Sequence, residues 1–170
     1  LPISDYVNPF VGTDGYGNVY PGAQIPFGGI QISPDTDSRF YDAASGYKYN
    51  HLTLMGFSLT HLSGTGIPDL GDFLFIPGTG EMKLEPGTHE DPDQGYRSRY
   101  SHDKEWASPN YYAVELADYG VKAEMTSGVR SGMFRFTYPE SDNAFIMIDM
   151  NHTLWQSCEW SNLRMINDST

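Results

Sequence analysis

The segment from Gly56 to Asp72 carries the residues best suited to polar chemistry. It begins with a strand-like alternation and opens into a loop, residues 61–66, that reads His-Leu-Ser-Gly-Thr-Gly. Two glycines bracket hydroxyl side chains beside an imidazole, so the loop can present polar side chains and bare backbone N–H groups to a small polar ligand. The same composition is typical of a tight connection in a β-sheet. The residues alone leave both interpretations open.

Two carboxylates follow this loop, at Asp69 and Asp72. A glycosidase places its two carboxylates across a sugar ring, about 5 to 9.5 Å apart. Two acids so close together in one loop more often act as turn or capping groups. We therefore assign neither aspartate a catalytic role.

Three further aspartates, Asp35, Asp37 and Asp42, superficially suggest a calcium-binding loop such as the EF-hand. That loop also requires glycine at its sixth position and glutamate at its twelfth. Phe40 and Gly46 occupy those places here. The spacing therefore favours a solvated loop over a calcium site.

Metal and redox chemistry based on nitrogen or sulfur has little support. The five histidines show no metal-ligand spacing, and Cys158 is the only cysteine. An intrachain disulfide is excluded, and a cysteine-based zinc site is disfavoured.

The charge and hydropathy patterns exclude two classes of partner. A net charge of −12 argues against nucleic acid, whose phosphates require lysine and arginine, and favours neutral or cationic ligands. No stretch approaches the roughly 20 apolar residues that span a bilayer. The first ten residues contain neither the basic region nor the apolar run of a signal peptide, although a mature or trimmed chain would look the same.

The elements that must position these groups are predicted to be strands. A chain of 170 residues suffices for one domain with a hydrophobic core. Apolar and polar residues alternate in short segments separated by turn signals, which indicates an all-β, antiparallel sandwich or barrel. The predicted strands cover residues 30–32, 53–60, 96–100, 111–116, 121–125, 133–136 and 145–150, and a hairpin at 77–80 joins 74–76 to 82–84. Residues 1–25 are predicted to be irregular.

Glycine-, proline- and aromatic-rich motifs follow one another through the first two thirds of the chain. They are VNPFVGT at 7–13, GNVYPGA at 17–23, PFG at 26–28, QISPDT at 31–36, SGY at 45–47, GFS at 56–58, THLSGTG at 60–66 and PNYYAVELADYG at 109–120. In this order they resemble the start of the family 92 glycoside hydrolases, which are calcium-dependent exo-α-mannosidases. So many ordered matches make the resemblance far more specific than any single glycine motif.

The resemblance implies that residues 1–170 are the N-terminal β-sandwich domain of a secreted or periplasmic α-mannosidase, truncated at its end. In the family this domain packs on a larger helical domain that carries the general acid, the base carboxylates and most Ca²⁺ ligands. It also implies that mannose-containing glycans are the substrate and that Ca²⁺ assists inversion at the anomeric carbon. No segment resembles the helical domain, so we assign no catalytic or metal-binding residue to this chain.

The resemblance also names residues that face the sugar. The loop 15–21 matches the family's glycine-rich loop at the non-reducing sugar, with Tyr16, Gly17 and Asn18 as candidates. The Asn18 amide can both donate to and accept from sugar hydroxyls. His61 and Thr65 match the THLSGTG motif, where they either touch the ligand or brace the loops.

The segment 41–46 matches a family stretch that holds a tryptophan at the leaving-sugar subsite of α-1,2-mannosidases. Ala43 stands at that position, which puts α-1,2 specificity in doubt. Tyr41 and Asp42 are the candidate sugar contacts here, with Tyr41 as a substitute platform.

The alternative is a free-standing sandwich that binds carbohydrate or serves only as structure. The length of the native gene product distinguishes the two. Apolar side chains in 154–160 and 163–166 have no predicted partner strands after them, which favours truncation.

Overall fold

The computed structural model describes residues 2–38 and 41–167, except for the side chain of Asp42. Within these ranges the regular structure is β, with four short 3-10 helices at Ile3–Tyr6, Tyr41–Ala43, Pro92–Gln94 and His102–Lys104. The strands are β1 (Ser33–Asp35), β2 (Thr53–Leu54), β3 (Gly56–Ser58), β4 (Leu74–Thr79), β5 (Ser98–Arg99), β6 (Glu105–Ser108), β7 (Tyr111–Leu116), β8 (Val121–Ser127), β9 (Gly132–Thr137) and β10 (Ala144–Asp149). The all-β prediction is confirmed. No helix in the described ranges is long and apolar enough to cross a membrane.

The strands form two four-stranded antiparallel sheets and one small pair. One sheet has the order β1-β3-β4-β10, the other has the order β6-β7-β8-β9, and β2 pairs with β5. The second sheet is a simple meander, because each strand hydrogen-bonds to the next one in sequence.

The meander follows directly from the sequence pattern. Along β8 the side chains of Val121, Ala123 and Met125 are buried, whereas Lys122 and Thr126 are partly or fully exposed. A strand with one apolar face stabilises the fold only when that face packs against other apolar groups. The predicted strands from 111 to 150 are confirmed to within two residues at each end.

Aromatic side chains join the two large sheets. The Phe57 ring of β3 lies 6.5 Å from that of Phe134 and 6.3 Å from that of Phe136, both on β9. Phe75 of β4 lies 5.0 Å from Phe134. Because these contacts connect opposite sheets, the architecture is the predicted sandwich.

The predicted hairpin at 77–80 is wrong. β4 continues through Pro77 and Gly78 to Thr79, and it pairs along six residues with β10, where Pro77 lies opposite Ile146. Residues 82–84 form no strand. The Pro-Gly pair has the local signature of a turn, but a distant strand supplies partners that hold it extended.

The predicted strand at 30–32 is displaced. Ile32 makes only an isolated bridge with Ala23, and β1 begins at Ser33 and passes through Pro34. Proline is tolerated because β1 is the edge strand of its sheet and one side of it needs no ladder hydrogen bond.

The predicted strand at 53–60 divides at Met55. Its first part, β2, pairs with β5, whereas its second part, β3, pairs with β1 and β4. The sequence pattern is continuous, but the chain crosses from one sheet to another at this residue. β6 was not predicted at all.

Candidate functional site

A buried carboxylate joins several parts of the chain beside the loop 61–66. Asp35 Oδ1 accepts a hydrogen bond from His61 Nε2 at 2.7 Å. Its Oδ2 accepts from Ser58 Oγ at 2.6 Å and from His152 Nε2 at 2.7 Å. All four side chains are buried. We call these residues, Asp35, Ser58, His61 and His152, the Asp35 cluster.

The second ring nitrogen of His61 is also engaged. Nδ1 lies 2.7 Å from the backbone oxygen of Gln31. A carbonyl and an ionised carboxylate can only accept hydrogen bonds, so both ring nitrogens of His61 face acceptors. These contacts hold the ring in one orientation beneath the surface.

The charge on Asp35 is controlled by opposing effects. Burial alone would raise the pKa of its carboxyl group, but the His61 and His152 imidazoles hold that pKa well below its usual range. The carboxylate is therefore ionised at neutral pH, as two charge-assisted hydrogen bonds require.

This arrangement predicts how stability depends on pH. Because the folded pKa of Asp35 lies below the unfolded value of about 3.9, its contribution is complete well above pH 4 and is lost progressively as the pH falls below about 4. We expect the free energy of unfolding, measured with denaturant between pH 3 and 6, to fall more steeply for the parent than for Asp35→Asn. Parallel curves for the two proteins would contradict this assignment.

The loops 15–21 and 61–66 lie side by side. The backbone N–H of Gly64 donates to the backbone oxygen of Asn18 at 2.7 Å. The Tyr20 ring lies 5.0 Å from the His61 ring. The structure therefore brings together two of the three segments that the sequence proposed for sugar binding.

Asn18 stands at the junction of these loops with an unusual backbone. Its φ is +50°, in the left-handed region that asparagine tolerates better than most residues. Its Nδ2 donates to Tyr16 O at 3.2 Å, whereas its buried Oδ1 has no hydrogen-bond partner among the described residues. Tyr16 is 93% exposed, and Gly17 packs so tightly that a Cβ there would lie 2.2 Å from Gly12 O. The junction thus contains an unpaired acceptor, Asn18 Oδ1, close in sequence to the exposed ring of Tyr16.

The segment 41–46 reaches the Asp35 cluster from another side. Gly46 has a φ of +83°, and a Cβ on it would lie 2.1 Å from Asp35 Oδ1. Tyr41 is exposed and meets the Trp155 ring edge-on at 6.3 Å. Ala43 is buried, and the side chain of Asp42 lies outside the described part of the structure. One end of this segment therefore touches the cluster and the other end meets Trp155.

The two remaining candidates are engaged within the chain. His61 is buried with both nitrogens bonded, and Thr65 Oγ1 donates to Ile67 O at 3.0 Å. Of the two roles proposed for His61, this geometry favours bracing the loops over direct contact with a ligand.

The sequence did not indicate that Asp35 and His152 would meet. Asp35 belonged to a doubtful calcium loop, and His152 was one of five histidines without a motif. They are 117 residues apart, so no local pattern could have paired them. The one available signal was the place of Asp35 within the QISPDT motif at 31–36.

The described residues do not form a complete calcium-binding site. No group of three or more His, Cys, Asp or Glu side chains in 2–38 and 41–167 is arranged to hold a metal ion. The Asp35 cluster offers one carboxylate and two imidazoles, whereas Ca²⁺ prefers six to eight oxygen ligands. We therefore derive no chemical step through calcium in this chain.

Comparison with known proteins gives a consistent result. Residues 6–170 match the profile of the glycosyl hydrolase family 92 N-terminal domain. The structure of the family GH92 α-mannosidase BT3965 from Bacteroides thetaiotaomicron has 99% sequence identity and a TM-score of 0.96, covering 97% of this chain and 22% of that chain. A second structure of that mannosidase, in complex with mannoimidazole, gives the same values.

More distant relatives agree. The family GH92 inverting mannosidase BT2199 from Bacteroides thetaiotaomicron has 28% identity and a TM-score of 0.69, covering 86% of this chain and 19% of that chain. An uncharacterized secreted glycosidase from Arthroderma benhamiae is 30% identical over 139 residues, which is 81% of this chain and 17% of that protein. The chain thus spans about a fifth of the length of these relatives. It belongs to glycosyl hydrolase family 92, as the N-terminal domain of that family.

Proposed function

We propose that this chain forms part of the sugar pocket of an inverting α-mannosidase that releases terminal mannose from glycans. The observation that carries the proposal is Asn18, whose buried, unpaired Oδ1 lies where the loops 15–21 and 61–66 are hydrogen-bonded together. An unpaired buried acceptor costs about 1 to 3 kcal/mol, and a sugar hydroxyl would remove that cost. The relatives support the assignment, because they include α-mannosidases and one inverting mannosidase.

The candidate residues divide into two roles. Tyr16, Gly17 and Asn18 contact the sugar, with Tyr16 as an aromatic surface and Asn18 as the hydrogen-bonding group. The buried His61 holds the loop 61–66 in place from beneath, and Thr65 stabilises the end of that loop through its hydrogen bond to Ile67 O. Tyr41 and Asp42 lie on a third segment, which extends the binding edge.

The chemistry itself is assigned to a helical domain that follows this one in a longer polypeptide. That domain supplies the paired carboxylates and most of the calcium ligands, and this chain supplies no catalytic residue. Bound calcium would polarise the sugar hydroxyls and favour ring distortion. This chain contributes by orienting the mannose and excluding water from one side of it.

We place the longer protein outside the cytoplasm, either secreted or periplasmic. One relative is described as a secreted glycosidase. The acidic composition, with a net charge of −12, is compatible with a neutral glycan substrate.

Asn18→Ala tests the sugar-binding role. In the full-length enzyme we expect kcat/KM for mannosides to fall by about 10-fold or more, which corresponds to a lost interaction of about 1.4 kcal/mol. Alanine at a φ of +50° and loss of the Nδ2 hydrogen bond to Tyr16 O should cost about 1–2 kcal/mol of stability, so kcat/KM is compared at a temperature where both enzymes are folded.

Lys122→Ala is the control, because Lys122 lies on β8, away from these loops, with a partly exposed side chain. Its kcat/KM should match that of the parent. An Asn18→Ala enzyme that melts and turns over like the parent would mean that these loops are structural connections only.

A further inference from the structure

A cavity of about 630 Å³ opens on the other side of the Asp35 cluster. This volume lies within the range of about 300–1,000 Å³ that is typical of small-molecule sites. Its polar and aromatic lining includes Glu85, Tyr96, Asp149, Asn151, Trp155 and Gln156. None of these residues was a candidate in the sequence, and none belongs to the loops 15–21 and 61–66.

Trp155 lines this cavity and has a strained backbone conformation. Its φ is +77°, a conformation that costs a residue other than glycine about 1–3 kcal/mol. Its backbone N–H donates to the backbone oxygen of Ser38 at 3.1 Å, and the indole remains 58% exposed with the Tyr41 ring edge-on to it at 6.3 Å. Burial of the side chain does not explain this conformation, which leaves a flat apolar face open to the cavity.

The polar groups around Trp155 define the class of ligand. Asp149 Oδ2 accepts a weak hydrogen bond of 3.3 Å from the Tyr96 hydroxyl, and its Oδ1 accepts from the Asn151 N–H at 2.9 Å. Among the residues that the structure describes, the lining carries the carboxylates of Glu85 and Asp149 but no lysine or arginine. An anionic ligand would be repelled, whereas hydroxyl groups can donate to the carboxylates and accept from the amides.

A flat indole face beside carboxylate and amide groups matches a sugar ring, which has apolar C–H faces and polar edges. We propose that this cavity binds a neutral pyranose, with the ring on Trp155 and the hydroxyls directed at Asp149, Asn151 and Gln156. The inference rests on the proposed function, because it makes the bound pyranose a second sugar unit of the glycan substrate.

The cavity shares its foundation with the loop junction. His152, which also lines the cavity, bonds to Asp35 Oδ2, and His61 under the loop 61–66 bonds to Asp35 Oδ1. The Asp35 carboxylate therefore holds both the cavity wall at His152 and the loop 61–66 at His61. A glycan that contacts the cavity and the loop junction meets two surfaces that share this one buried support.

The test uses the full-length enzyme and two substrates, an aryl α-mannoside with one sugar and a manno-oligosaccharide. Trp155→Ala and Trp155→Gly both remove the ring, and glycine also relieves the positive φ, so at least one folded variant is expected. We expect kcat/KM to fall by about 10-fold or more on the oligosaccharide and by less than about 2-fold on the aryl mannoside.

Trp106→Ala and Trp160→Ala are matched controls, because both rings are exposed, at 45% and 80%, and neither lines the cavity. Both should leave the two substrates unaffected, and Asp149→Asn should show the same selective loss as Trp155→Ala. An equal loss on both substrates, or no loss on either, would overturn the proposal.

Failure of the proposed function would be seen separately, as a parent enzyme that hydrolyses neither substrate. In that case calorimetric titration with the manno-oligosaccharide decides the question. Binding by the parent that Trp155→Gly abolishes supports the site, and binding that is absent or unchanged by the variant overturns it.

Discussion

Replacement of Asp35 with alanine is expected to destabilise the folded protein by about 3 to 5 kcal/mol, the usual cost of removing one partner from a buried ion pair. The carboxylate binds Ser58, His61 and His152, so the variant leaves two imidazoles and a hydroxyl buried without their acceptor. Chemical denaturation at neutral pH measures this loss directly.

Asp72→Ala is the matched control for this prediction. Asp72 is only partly buried, and its carboxylate accepts a single side-chain hydrogen bond from Thr60 at 2.7 Å. Its removal should cost about 1 kcal/mol. Equal losses for the two aspartates would show that the Asp35 cluster contributes no more than an ordinary hydrogen bond.

The second large loss of folding stability is expected for Gly46→Ala. Alanine at this position must adopt a φ of +83° and place its Cβ 2.1 Å from Asp35 Oδ1, so the carboxylate has to move away from its partners. The left-handed backbone alone costs about 1–2 kcal/mol. Displacement of the carboxylate adds a loss comparable with that of Asp35→Ala, so we expect about 4 kcal/mol or more in total.

Gly80 separates these two contributions. Its φ is also +83°, but nothing lies within 4 Å of a Cβ built there. Gly80→Ala should therefore cost only the backbone strain, about 1–2 kcal/mol. If Gly46→Ala and Gly80→Ala unfold at the same denaturant concentration, contact with Asp35 is unimportant for stability.

The two substitutions also connect the cluster with function. Asp35 holds His61, and the loop that His61 begins is bonded to Asn18 through the Gly64 N–H. Under the proposed function, loss of the carboxylate in the full-length enzyme is therefore expected to weaken mannoside binding, although Asp35 itself is fully buried.

The sequence alone determined the fold class and three of the four strands of the meander, β7 to β9. Strands β7 to β9 alternate apolar and polar residues and are separated by short turns, so their pairing is local and their boundaries could be predicted. The family could also be identified, because ordered motifs from VNPFVGT to PNYYAVELADYG do not depend on knowing any contact.

The sequence misled where a local signal competed with a distant partner. Pro77 and Gly78 have the composition of a turn, yet β10 holds them in an extended strand. The pattern of residues 53–60 predicts one strand, yet its first part pairs with β5 and its second part pairs with β1 in a different sheet. Turn and strand preferences amount to about 1 kcal/mol, which the pairing of a whole strand exceeds.

In the candidate site, too, the sequence indicated individual residues but not the long-range contacts between them. The sequence proposed Asn18 and His61 as sugar-binding candidates. Only the tertiary structure decided that His61 is buried and that the Asn18 Oδ1 has no partner among the described residues. The meeting of Asp35 with His152, and the cavity walled by Trp155, depend on chain segments more than 100 residues apart in sequence. A sequence pattern records each residue's preference for burial and local conformation. Which buried charges neutralise one another is decided by packing, because an unpaired charge in the core is too costly to remain there.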